Sequence, residues 1–409
     1  MRAGTFGPVR RSVLQGFAAV VALFAIAGPA TAQEDEIARG LLVAERDLLR
    51  DSRTLPRDAF PGRTAGRGGR WLTTSAASWT SGFRAGSMWA IAELSGDPRW
   101  RVRAARAQRG LAGQAANTST HDVGFILHTP YARAFRLTRR PAYRWVLLRG
   151  AASLATRFDP KVGATRSWGQ AGDPTFRVIV DNLMNLELLL WGARHGGPRA
   201  WREMAVRHGL TALRDHVRPD GSTFHVVEYD PGTGAVVARR TRQGFADGST
   251  WSRGQAWAIH GFTTLYRETR DPRFLVAARR TADHWLSRLP RGGVPPWDFD
   301  APMPAPSGLS AGAIAASGLA QLARLDPQRS RGERYATAAV RTVNALSRPL
   351  FMDTRQRSAS TLLHGTSDGA RGRLRPRPGL RRLLLPRGDS AGGALLALTQ
   401  ARLRPTSSA

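Results

Sequence analysis

From about Glu36 onward, apolar residues return every three or four positions, the period of a helix with one buried face. Ile37, Leu41, Leu42, Leu48 and Leu49 set the first stripe. The same spacing predicts helices near Phe83–Leu94, Val102–Leu111, Gly124–Leu137, Ala142–Ala155, Val180–Ala193 and Ala200–His216. It continues through Trp251–Thr269, Phe274–Leu289, Ser310–Leu325 and Tyr335–Ser347. Gly96-Asp97-Pro98, Asp271-Pro272 and Asp326-Pro327 punctuate these runs as turns. Only Phe224 to Asp230, ahead of Pro231-Gly232-Thr233-Gly234, resembles a strand entering a hairpin. Roughly eleven helices in hairpins, without a sharp internal repeat, predict an all-α toroid with its site at one mouth.

Two carboxylates stand out against this background. Asp181 lies within Phe176 to Trp191, a mostly apolar run expected to be helical throughout. Burial there strips water from the charged form and raises the pKa, which suits a general acid near neutral pH. Asp122 stands beside His121 in the apolar segment His121-Asp122-Val123-Gly124-Phe125. Such a pair suggests acid–base chemistry on a sugar-like substrate. The residues alone leave plainer readings open: Asp122 as a helix N-cap, Asp181 as a hydrogen-bonded core carboxylate.

At 409 residues, with 42% hydrophobic content and twelve tryptophans, the chain can bury a large core as one domain or two. It has no cysteine, which excludes disulfides, thiolate metal sites and a cysteine nucleophile. The formal charge is +31, and Lys161 is the only lysine, so the excess is arginine. A field of that sign attracts acidic substrates or polyanions; a solvated arginine-rich surface is the competing reading. No helix-turn-helix, zinc-finger or RNA-binding signature points to nucleic acid.

The N-terminus reads as an export signal. Arg10-Arg11-Ser12-Val13-Leu14-Gln15 is a twin-arginine pattern, Gly16 to Gly28 is apolar, and Ala30-Thr31-Ala32 forms a small-residue cleavage site. The apolar run is short for a spanning helix, so no stable membrane anchor is expected after cleavage near Gln33. The expected organisation is a signal over 1–32, a catalytic domain over 33–366 and an Arg/Pro-rich tail over 367–409.

Seven segments together resemble the unsaturated glucuronyl hydrolases, glycoside hydrolase family 88. They are Trp79-Thr80-Ser81-Gly82-Phe83 with Gly86 and Trp89, His121 to Phe125, Val180-Asp181-Asn182-Leu183-Met184-Asn185, and Phe224-His225-Val226-Val227. Ser249 to Trp257, Trp297 to Pro302 and Ala315-Ala316-Ser317-Gly318-Leu319 complete the series, which spans Trp71 to Thr366.

The resemblance implies an (α/α)6 barrel acting on a terminal uronic acid with a C4=C5 double bond. It also implies that C4 is protonated, water adds at C5, and the resulting hemiketal collapses. No metal or organic cofactor is implied. Asp181 matches the family's general acid and base, and Asp122 its second catalytic carboxylate. Arg253 and His225 match substrate-contacting positions, and a planar guanidinium suits a uronate carboxylate. Gln243 matches a polar contact, Trp168 and Trp257 match stacking platforms, and His121 stands beside Asp122. Ordinary core packing is the competing reading for the histidines and tryptophans.

Phe224 to Asp230 with Thr241 to Ser249 looks closest to members acting on glycosaminoglycan-derived disaccharides. An unsaturated rhamnogalacturonyl hydrolase and an inactive basic polyanion-binding protein are the alternatives.

Two departures qualify the match. Gly308-Leu309-Ser310-Ala311 lacks the aspartate that family members carry before their Ala-rich helix, which puts a helix start or a site contact in doubt. After Thr366 the family closes with a segment like Tyr-Gly-Asp-Tyr-Tyr-Phe-Leu-Glu, whereas this chain reads Gly379 to Gly388 as Gly-Leu-Arg-Arg-Leu-Leu-Leu-Pro-Arg-Gly. Codons for the family segment, read in a shifted register, spell that string, so the tail reads as a frame slip. Resequencing the gene tests this against the competing reading, a disordered basic tail.

Overall fold

The computed structural model describes residues 31–366 apart from 57 and 66–68, with side chains from Glu36 onward. Residues 1–30 of the expected export signal and the arginine-rich tail lie outside the described residues. Asp-Pro pairs become helix starts for a local reason. Asp97 accepts the backbone N–H of Arg99 at 2.8 Å and Asp271 that of Arg273 at 2.9 Å, while the following prolines lose no hydrogen bond in the first turn. Gly96 ends the preceding helix at φ 69°, a left-handed conformation that glycine adopts without strain.

Eleven α-helices result among the described residues: α1 (Thr31–Thr54), α2 (Ser81–Ser95), α3 (Pro98–Gln108), α4 (Arg133–Thr138), α5 (Pro141–Ala155) and α6 (Asn182–Arg194), then α7 (Ala200–Asp215), α8 (Ser252–Thr269), α9 (Pro272–Arg288), α10 (Leu309–Leu325) and α11 (Arg329–Ser347). An inner ring runs from α2 through a π-helical segment, Gly124–Ala132, to α6, α8 and α10. The inner helices α2, α8 and α10 are buried on nearly every side. The outer helices α3, α7, α9 and α11 bury one stripe each against α2, α6, α8 and α10. Helix α1 packs on both α11 and α2, joining the last hairpin to the first. Its Arg46 donates to the carbonyls of Asp353 and Thr354, and its Arg50 to that of Ala359. The architecture is an (α/α)6 barrel.

Several elements differ from the sequence reading. The run Phe176 to Trp191 is not helical throughout: after the short strands β1 (Phe60–Thr64), β2 (Trp71–Thr74), β3 (Phe158–Asp159) and β4 (Ala164–Thr165), Phe176–Ile179 is strand β5, and α6 begins only at Asn182. The strand forms because β6 (Val226–Tyr229) lies alongside it, with Ile179 opposite Val226, and β6 pairs in turn with β7 (Val236–Arg240). The hairpin expected after Phe224 is therefore present, with one more strand on its far side. Gly124–Leu137 is nine residues of π-helix followed by α4 rather than one α-helix. Pro130 inside it has no N–H to donate. Gly124 must approach α6 so closely that a Cβ would stand 2.4 Å from Asn185 Oδ1. Past Gln108 the chain tightens into a 3₁₀ stretch, Arg109–Ala116.

Candidate active site

Strand β5 ends where Val180 N–H binds the carbonyl of His225, and the next residue, Asp181, stands immediately before α6. This strand-to-helix junction aims a carboxylate into the barrel mouth from two ordered elements. The Asp181 side chain is 15% exposed. Its Oδ1 is buried without a hydrogen-bond partner. Burial pushes its pKa up to about 7; Arg253 pulls against that rise and Asp122 adds to it.

His225 faces this acid, its Nε2 lying 3.9 Å from Asp181 Oδ1. The Arg242 backbone N–H donates to His225 Nδ1 at 3.3 Å, so Nδ1 is an acceptor and the ring proton sits on Nε2, toward Asp181. Burial first, and Arg253 next, lower the His225 pKa to about 3. The ring is therefore a neutral donor at any pH where Asp181 titrates.

On the neighbouring wall Asp122 accepts from Thr120 Oγ1 at 3.0 Å, and His121 Nε2 lies 3.4 Å from its Oδ1. The side chain of Asp122 is thus engaged by Thr120 and His121. Its backbone carbonyl, not its carboxylate, accepts from the first turn through Ile126 N–H. Asn185, on α6, orients this wall. Its Oδ1 accepts the Phe125 N–H at 2.8 Å and its amide donates to His121 Nδ1 at 3.2 Å. Burial lowers the His121 pKa, with Asp122 opposing, so this histidine too presents a neutral Nε2–H.

Arg253, in the first turn of α8, is 4% exposed. Its guanidinium lies 4.5 Å from the centroid of Trp251 and 5.9 Å from that of Trp79, and Nη1 donates to Ser310 Oγ at 3.3 Å. The aspartate missing before the Ala-rich helix therefore leaves neither the helix start nor the arginine unsupported: α10 begins at Leu309, and Ser310 meets Arg253. Gly308 is required there, since a Cβ would come within 2.8 Å of the Pro296 carbonyl.

The remaining expected residues are dispersed around this centre. Trp168 is half-buried, edge-on to His225 at 6.4 Å. Trp257 packs against Phe125 at 5.0 Å and is largely core, with an indole N–H that lacks a hydrogen-bond partner. Gln243 accepts the Trp297 indole N–H on its backbone carbonyl and adjoins the Arg242 that binds His225.

Three residues that sequence reasoning passed over hold the site together. Trp251 is sandwiched between His225 and Arg253, at 4.3 and 4.5 Å. Asn185 links α6 to the π-helix. Arg157 donates to the carbonyls of Thr118, Arg166, Ser167 and Gly169, clamping the Asp122 loop to the Trp168 loop. Trp251 and Asn185 fall inside motifs already marked, and only their direction was invisible. Arg157 carries no local signal. Among the described residues no group of three or more His, Asp or Glu could hold a metal ion, and no helix is long and apolar enough to cross a membrane.

A helical toroid whose mouth holds one protonatable acid, neutral imidazole donors and a buried guanidinium belongs to the class of acid–base hydrolases of acidic sugars. No family model matches the chain. An unsaturated glucuronyl hydrolase of Formosa agariphila is 38% identical over 273 residues, 65% of this chain and 68% of that protein. Another, from Bacillus sp. strain GL1, is 36% identical over 297 residues, 71% of this chain and 78% of its own. The crystal structure of an unsaturated glucuronyl hydrolase specific for heparin superposes with a TM-score of 0.81 at 31% identity, covering 90% of this chain and 97% of that one. The chain belongs to the unsaturated glucuronyl hydrolases.

Proposed function

We propose that this enzyme removes the terminal 4,5-unsaturated uronic acid from lyase-generated oligosaccharides by hydrating its vinyl ether, with Asp181 as the proton donor. Asp181 gives its proton to C4 and the developing cation is captured at C5 by water. The Asp181 carboxylate then takes back a proton from that water, and the hemiketal opens to release the leaving sugar. Arg253 binds the uronate carboxylate through its planar fork. His225 and Asp122 orient the substrate and the water. The observation that carries this reading is the burial that keeps Asp181 protonated up to a pH of about 7. An acid of that strength is half-loaded at neutrality, where proton transfer is most effective.

Glycosaminoglycan-type disaccharides are the favoured substrates, on the pattern of Phe224 to Ser249. The test is loss of the alkene absorbance on unsaturated chondroitin or hyaluronan disaccharides against unsaturated pectin fragments. Faster turnover of the first pair is expected; the opposite order makes the enzyme a rhamnogalacturonyl hydrolase.

We also infer export by the twin-arginine route, from Arg10-Arg11 and the apolar stretch behind them. Replacing both arginines by lysine is expected to keep the enzyme in the cytoplasm. Unchanged release would remove this inference.

A further inference from the structure

Two buried amides stand between the catalytic carboxylates, and backbone groups fix which way each one points. Asn182 and Asn185 lie in the first turn of α6, directly after Asp181, and both are fully buried. A backbone N–H can only donate. The Asn185 atom that meets Phe125 N–H at 2.8 Å is therefore the oxygen, which leaves the amide nitrogen for His121 Nδ1 at 3.2 Å. A carbonyl can only accept, so Asn182 turns its nitrogen to the Thr165 carbonyl at 2.7 Å. Its oxygen is left as a buried acceptor with no hydrogen-bond partner among the described residues. Thr165 is itself pinned, its N–H donating to His208 Nδ1 at 2.9 Å. His121 thus meets a donor at Nδ1, while its Nε2 lies 3.4 Å from Asp122 Oδ1. Burial lowers the pKa of this ring, Asp122 opposes the fall, Arg157 adds to it, and the Asn182 side chain opposes it again. One neutral tautomer meets all these demands, with the proton on Nε2.

We propose that Asn185, with Asn182 beside it, is a positioning residue that locks the His121 proton on Nε2 and thereby holds the Asp122 carboxylate in register with Asp181. The proposal rests on the reaction above for what that register serves. Both carboxylates then meet one device, an imidazole whose Nδ1 is occupied by a donor and whose Nε2–H faces the acid. At His225 the donor is the Arg242 backbone N–H itself, which no side-chain substitution reverses. At His121 the polarity of Phe125 N–H is relayed through the Asn185 amide, which a substitution can invert. The opposite tautomer would turn an Nε2 lone pair toward Asp122, acceptor against acceptor, and drive the carboxylate from its place. The turn of helix that follows the acid therefore also sets the proton on the neighbouring wall.

The experiment combines kinetics on an unsaturated chondroitin disaccharide with nitrogen NMR of enzyme labelled in its histidines, the His121 signals being those lost in His121→Gln. In the unsubstituted enzyme His121 should carry its proton on Nε2 and show a bare, hydrogen-bonded Nδ1. Asn185→Asp keeps an acceptor for Phe125 N–H but presents a second acceptor to His121. The proton should then move to Nδ1, or both nitrogens should carry one, and kcat should fall by about 10²-fold with KM changed only a few-fold. Asn185→Leu introduces no buried charge and serves if the aspartate variant does not fold. Its His121 Nδ1 should lose the shift that a donor imposes, and kcat should fall by about tenfold. The proposal is overturned if the unsubstituted enzyme carries the proton on Nδ1, if Asn185→Leu leaves the Nδ1 signal unmoved, or if the folded variants keep the parent kcat. Alkene turnover by the unsubstituted enzyme is measured alongside. Its absence would sink the proposed reaction, while the spectra still decide the lock.

Discussion

Asp181→Asn is expected to slow alkene loss by about 10³-fold or more while leaving the barrel folded. The amide keeps the shape of the acid but cannot give C4 a proton. Residual turnover within a few-fold of the parent enzyme would remove Asp181 from the mechanism. The same substitution has a second, independent signature in stability. The folded chain holds the Asp181 proton up to a pH of about 7, whereas an unfolded aspartate loses it near 3.8. Between those values the unfolded state releases a proton that the folded state keeps, so this group's contribution to stability is whole below 3.8 and is lost as the pH rises to about 7. The asparagine variant carries no such penalty. It should therefore be more stable than the parent at pH 8, by on the order of 2–4 kcal/mol, and the gap should shrink toward pH 4. Thermal melts at two pH values measure it. A gap that grows toward acid would show that burial does not raise this carboxyl group.

Arg253→Ala should lower kcat/KM by about 10²–10³-fold, the loss of two charge-assisted hydrogen bonds in a site that excludes water. Lysine should not restore it, because a point charge cannot reproduce the fork. The pH profile separates this role from simple support of the fold. Arg253 is the strongest of the groups that oppose the upward shift of Asp181. Without it the acid holds its proton to still higher pH, so the alkaline limb of the residual activity should move upward. An unmoved limb together with a loss of folded protein would reduce Arg253 to a structural residue.

Much of this arrangement was legible in the chain because the helices announce themselves locally. Three- and four-residue spacing located most of the helices, and two of the Asp-Pro turns proved to lead into helix starts. What escaped notice depends on partners distant in sequence. Phe176–Ile179 reads as part of an apolar helix until Val226–Tyr229, some fifty positions on, is laid beside it, and a short apolar run cannot tell strand from buried helix by periodicity alone. That pairing decides the chemistry, since it sets Asp181 at a junction instead of in mid-helix. The tendency of Asp181 to keep its proton was readable from its apolar neighbours. The tautomer of His225 was not, because it follows from a backbone N–H of Arg242 reaching Nδ1. Arg157 shows the limit most clearly. Its four carbonyl partners lie on two loops that only the closed barrel brings together.

The arginines of the first helix have a further consequence. Arg46 and Arg50 grip carbonyls 307 to 309 positions downstream, so the ring is fastened by a clasp whose halves are synthesised almost a whole chain apart. Hairpins on either side can form as soon as they emerge, each from near neighbours, but the clasp must wait for the circle to come round. Closing so wide a loop costs entropy that the local hairpins between do not share. Contacts so far apart in sequence are expected to form late in folding and to open early in unfolding.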